Sequence, residues 1–83
     1  MSKILLEITS PAAGESYDVF VPDNMQIGEL ISLLGIVFTQ TSNGIYIFSN
    51  QAVLSEKNAG TVYNPNDRIR DLDIKNGTKL LLI

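Results

Sequence analysis

The sequence predicts an α+β fold: a mixed four- to five-stranded sheet with one main helix packed on one face, the arrangement called a β-grasp. Three observations carry this. Two segments near the N-terminus alternate apolar and polar residues with period two and are joined by a breaker-rich turn. A single later segment repeats apolar residues at helical spacing. The chain then returns to extended patterns and closes on an apolar strand after an Asn-Gly turn. A helix crossing over between an N-terminal hairpin and later strands has one apolar face to bury, and a mixed sheet supplies the surface. The 83 residues suffice for one domain and one core, so residues 1–83 are read as a single domain.

Each element has its own signal. Ile4, Leu6 and Ile8 alternate with Leu5, Glu7 and Thr9, a half-buried first strand. Ser10-Pro11-Ala12-Ala13-Gly14 is a turn. Tyr17, Val19 and Val21 then form one face of a second strand, with Asp18 and Phe20 on the other, and Pro22 ends it. Ile27, Leu30, Ile31 and Leu34 fall at i, i+3, i+4 and i+7 and mark the helix. Gly35 is one candidate stop; the pattern favours continuation to about Val37. Thr41 to Gly44 is a turn, and Ile45-Tyr46-Ile47-Phe48 a third strand, rich in β-branched and aromatic residues. Ala52-Val53-Leu54 is a brief fourth strand and Ser55 to Asn66 a polar loop. Asp67 is placed to cap a helical turn at Arg68 to Leu72. Asn76-Gly77 turns the chain into the last strand, Thr78 to Ile83.

Composition removes several function classes. There are no cysteines and no histidines, which takes away disulfides, thiolate catalysis, the usual general base and the commonest metal ligands. No cofactor or metal is expected. Six basic residues against nine acidic ones, a net charge of −3, disfavour nucleic acid and anionic membrane surfaces. No apolar run approaches the roughly 20 residues of a membrane span. Glu7 interrupts the N-terminal apolar run, so a signal-peptide core is missing, and Ser2 excludes the N-myristoylation motif. The expectation is a soluble cytoplasmic protein that is not an enzyme.

The segment Val21-Pro22-Asp23-Asn24-Met25-Gln26-Ile27-Gly28-Glu29-Leu30-Ile31 resembles the strand-to-helix junction of the YukD/EsaB family. Tyr17-Asp18-Val19-Phe20-Val21 resembles the family's second strand. The run from Asp67 to Gly77 resembles its closing segment, where an acidic-aliphatic turn precedes Asn-Gly or Asp-Gly. The resemblance covers roughly residues 3 to 83 and rests on structural motifs. It implies a ubiquitin-like fold and an accessory or regulatory role in type VII (WXG100-type) secretion. A related ubiquitin-like domain forms the cytosolic N-terminus of a membrane component of such systems. Two departures stand out: the loop Glu56 to Asn66 is longer than usual for the family, and Leu72 stands where ubiquitin has a tyrosine.

Five groups of residues bear on chemistry. The final strand runs to Ile83 with no Gly-Gly tail, so conjugation and sulfur carriage are not expected, and a sulfur-carrier relative is the most distant alternative. Asp67, Asp71 and Asp73, with Asn64 and Asn66, are read as a solvated turn neutralised by Arg68 and Arg70 and not as a calcium loop, whose spacing is missing. Lys57, Lys75 and Lys79, with Arg68 and Arg70, are interleaved with acids and read as solvated surface, ahead of an anion site. Gly28 is read as a tolerated helix glycine, ahead of a close contact with a partner. Finally, if Ile4, Leu6, Ile8, Tyr17, Val19, Val21, Ile45, Ile47, Leu80 and Leu82 face the helix, alternation sends Leu5, Phe20, Tyr46, Phe48 and Leu81 to the other face. Phe20, Leu5, Leu81 and Tyr46 would then form one stripe across four adjacent strands. That stripe is either a surface for a protein partner or a second copy, or ordinary cross-strand packing. The two function readings are an accessory protein of a secretion machine and a generic ubiquitin-like adaptor with an unrelated partner.

Overall fold

The structure is a computed structural model that describes residues 2–41 and 52–83. Its elements are β1 (Lys3–Ser10), β2 (Glu15–Pro22), α1 (Ile27–Thr41), β3 (Leu54–Glu56), a 3-10 turn (Ile69–Asp71) and β4 (Thr78–Leu82). The sheet order is β2-β1-β4-β3. β1 runs antiparallel to β2 and parallel to β4, and β3 runs antiparallel to β4. A parallel pair needs a crossover connection, and α1 provides it. The mixed sheet and single main helix are the β-grasp that the sequence predicts.

Period-two alternation sorts the strands as expected. Leu6 and Ile8 of β1, Val21 of β2, Leu54 of β3, and Leu80 and Leu82 of β4 are buried in one cluster with Ile27, Leu30, Ile31, Leu34 and Phe38 of α1. Between β1 and β2, Gly14 adopts φ 68° and its N–H donates to the Ser10 carbonyl at 2.9 Å, so the breaker-rich turn closes tightly.

The helix runs past both expected ends, to Thr41. Gly35 lies buried inside it and does not stop it. The reason is Phe38, one turn after Leu34, which is fully buried with its ring centroid 5.5 Å from that of Tyr17. Burying such a side chain is worth about 1.5–3 kcal/mol, against about 1 kcal/mol for an interior glycine.

The start of α1 is closed from two directions. The Glu29 carboxylate accepts from the Gln26 N–H at 3.2 Å, the return half of a capping box. The next two donors, Ile27 N–H and Gly28 N–H, go to the Asp67 and Pro65 carbonyls, each at 2.9 Å. A distant loop thus satisfies helix donors that otherwise lack partners. This corrects the reading of Gly28 as merely tolerated: a Cβ there would sit 3.2 Å from the Pro65 carbonyl oxygen.

Three further expectations change. The brief strand forms at Leu54–Glu56, two residues later than Ala52 to Leu54. Val53 exchanges both backbone hydrogen bonds with Ile83 at 2.9 Å, so this extended pairing continues beyond the strand proper. The turn at 69–71 is 3-10, Arg68 holds its N-cap position, and no side chain caps it, so Asp67 does not play that part. Asp67 contributes its backbone carbonyl to α1 instead. The expected strand Ile45 to Phe48 lies outside the described residues.

Candidate protein-binding face

The face of the sheet turned away from α1 is built from the residues that alternate with the core. β1 contributes Leu5, Glu7 and Thr9, β2 contributes Ser16, Asp18 and Phe20, and β4 contributes Lys79 and Leu81. Register then decides who sits beside whom. Leu5 is opposite Phe20, Glu7 opposite Asp18, and Thr9 opposite Ser16. Across the parallel pair, Glu7 aligns with Lys79 and Thr9 with Leu81.

This register corrects the expected stripe. Leu81 stands level with Thr9, four residues from Leu5 along β1 and roughly 13 Å away at about 3.3 Å per residue. The charged row Asp18–Glu7–Lys79 lies between them. On its far side Leu81 faces Ser55, which is buried, where Tyr46 was expected. Tyr46 and Phe48 themselves lie outside the described residues. Among the described residues, the face carries two apolar spots separated by charge.

The Leu5–Phe20 spot is the more prominent. Phe20 is 71% exposed while Leu5 is half-buried beside it. The backbone beneath is pinned: the Leu5 N–H donates to Asn76 Oδ1 at 2.7 Å, and the Gly77 N–H to the Leu5 carbonyl at 2.8 Å. Gly77 has φ 85°, which explains why Asn-Gly occupies this turn. In the central row, two carboxylates directly opposite one another are unfavourable, and Lys79 on the other flank of Glu7 offsets them. In the third row, the Thr9 and Ser16 hydroxyls lie 3.0 Å apart.

The other candidate groups separate. Asp67, Asp71 and Asp73 are exposed, and Asp73 pairs with Lys75 at 3.7 Å. Arg68 does not neutralise them: its Nη1 donates to the Asn24 carbonyl at 2.7 Å, because the turn aims it back at the start of the helix. Among the described residues, no group of three or more His, Cys, Asp or Glu is placed to hold a metal ion. No helix among them is long and apolar enough to cross a membrane. The sequence reading missed the loop around Tyr63, whose phenol is pushed above its ordinary pKa by burial and then by Glu56 and Asp73. The signal was the one aromatic residue inside a loop already marked as long and polar.

No family model matches the sequence, nor does any curated protein. Solved structures do match. A ubiquitin-like domain of EccD5 from Mycobacterium xenopi is similar over 100% of this chain and 94% of its own, at 17% identity and TM-score 0.80. This is a ubiquitin-like β-grasp fold. A chain of the ESX-5 inner membrane complex matches this ubiquitin-like chain over 98% of its length, at 11% identity and TM-score 0.81, with 20% of the larger chain covered. A chain of toluene 4-monooxygenase, solved with the inhibitor 4-bromobenzoate, matches over 98% of this chain and 96% of its own, at 6% identity and TM-score 0.82. At such identities the shared property is the fold, and function has to come from the site.

Proposed function

We propose that this ubiquitin-like protein is a non-enzymatic binding module, an accessory component of a type VII secretion machine in the manner of the YukD/EsaB family. It works in the cytoplasm. Its outer sheet face docks on a cytosolic domain of a membrane component of that machine, or on a second copy of itself. The observation that carries this reading is the likeness to the EccD5 domain along the whole chain, joined to the likeness to part of an inner membrane complex. The residue motifs at 21–31 and 67–77 point the same way. Within the face, Leu5 and Phe20 are the anchor, since interface cores are enriched in aromatic residues and Phe20 is strongly exposed. Leu81 is a second, smaller contact across the charged row, and Tyr46 and Phe48 remain candidates from the sequence.

A generic adaptor for an unrelated assembly is the second reading, favoured by the same fold in the monooxygenase chain. Capture from a lysate of the source cells separates the two, with wild-type protein compared to a folded Phe20→Ser, Leu81→Asp variant. Secretion-machine components retained by the wild type and lost by the variant support the leading reading. Capture of an unrelated assembly with no secretion component contradicts it.

A further inference from the structure

A groove of about 660 Å³ opens between the loop at 56–67 and the segment at 72–79. It shares Lys79 with the outer sheet face and otherwise uses different residues. Val62, Tyr63 and Leu72 give it an apolar wall; Val62 is 59% exposed, and the other two are half-buried. Three acidic residues line it, Glu56, Asp67 and Asp73, against one basic residue, Lys79. Glu56 is fixed, since its carboxylate accepts the Ala59 N–H while its backbone bonds to Thr61 at 2.8 Å and Gly60 at 2.9 Å. Asp73 pairs with Lys75 in an ion pair with both side chains exposed, which a bound cation can displace.

We propose that this groove is a docking site for a basic peptide segment of a partner protein. Aliphatic side chains of the segment rest on Val62 and Leu72, and its guanidinium or ammonium groups face the carboxylates. Charge complementarity selects this occupant, because an acidic segment would meet three like charges, and such juxtapositions exclude wrong partners. The site stands independently of the sheet face, so either can fail alone.

The test is an NMR titration of the full chain with acetyl-Lys-Leu-Arg-Leu-Lys-amide, with acetyl-Glu-Leu-Glu-Leu-Glu-amide as control. Saturable shifts at Val62, Tyr63, Leu72 and Asp73 are expected with the basic peptide, and none with the acidic one. An Asp67→Asn, Asp73→Asn variant removes two exposed charges and should bind roughly threefold to tenfold more weakly. A Val62→Ser variant, changed at an exposed position and checked by its spectrum to be folded, should also bind more weakly. Unsaturable shifts scattered over the surface, shifts centred on Leu5 and Phe20, or unchanged binding by the charge-neutralised variant would each overturn the proposal.

Discussion

The two faces of the sheet are made from the same strands and obey different rules. On the inner face Leu6, Ile8 and Leu80 are fully buried, while on the outer face Phe20 is 71% exposed. The inner face follows from period two alone: once one residue of a strand points at the helix, every second one does. A slip of one residue would exchange the faces, whereas a slip of two would keep them, so burial fixes the parity of the register and not the register itself. Adjacency on the outer face depends on that register, which alternation does not encode. Leu5 and Leu81 point the same way yet stand four positions apart along β1. An inner face is therefore a property of each strand, and an outer patch is a property of the pairing.

The sharpest way to break this contrast is on the inner side. Leu80→Ala removes a fully buried side chain at the centre of the cluster and should cost about 2–5 kcal/mol in urea unfolding. A cost below about 1 kcal/mol would mean that the helix does not seal that face. Next comes the seat of the helix. Alanine normally improves on glycine in a helix by up to about 1 kcal/mol. Gly28→Ala should instead lower stability by about 1 kcal/mol, because its Cβ would crowd the Pro65 carbonyl. A rise in the unfolding midpoint would show that the 65–67 loop gives way.

On the outer side, Phe20→Ser should change stability by less than about 1 kcal/mol, the scale of one cross-strand pair. A larger loss by the same urea assay would make Phe20 part of the core. The subtlest effect concerns Tyr63, whose ring packs on the core while it lines the groove. Its phenol is held above the ordinary value of 10.0 by burial, Glu56 and Asp73, so the folded chain keeps a proton that the unfolded chain has released. Stability from this group is complete below pH 10.0 and declines as pH rises through the folded value. Unfolding measured across the alkaline range should show that decline in the wild type, and Tyr63→Phe should flatten it.

Much of the fold is legible in the residues because its signals are local. Ile4 to Ile8, Tyr17 to Val21, the four apolar helix positions and Asn76-Gly77 each announce their state within a few neighbours. What was not legible depends on partners far along the chain. Nothing near Gly28 points to Pro65, and nothing near Ile27 points to Asp67, yet their carbonyls close the helix start. Gly35 and Val37 are the two ends that the residues suggest, and the helix passes both because Phe38 finds Tyr17 across the core. The candidate face was half visible: alternation names Leu5, Phe20 and Leu81 correctly as outward residues, while the gap between them comes from a parallel register set by the turn at Asn76 and Gly77.

The most direct test of a binding outer face is a methyl-resolved NMR spectrum of the wild-type protein before and after adding the secretion component that it captures. The account predicts shifts at the outward methyls of Leu5 and Leu81, with Leu6, Ile8, Leu80 and Leu82 unmoved. Unmoved Leu5 and Leu81, with shifts confined to Leu33 and Ile36 on the exposed side of the helix, would contradict it.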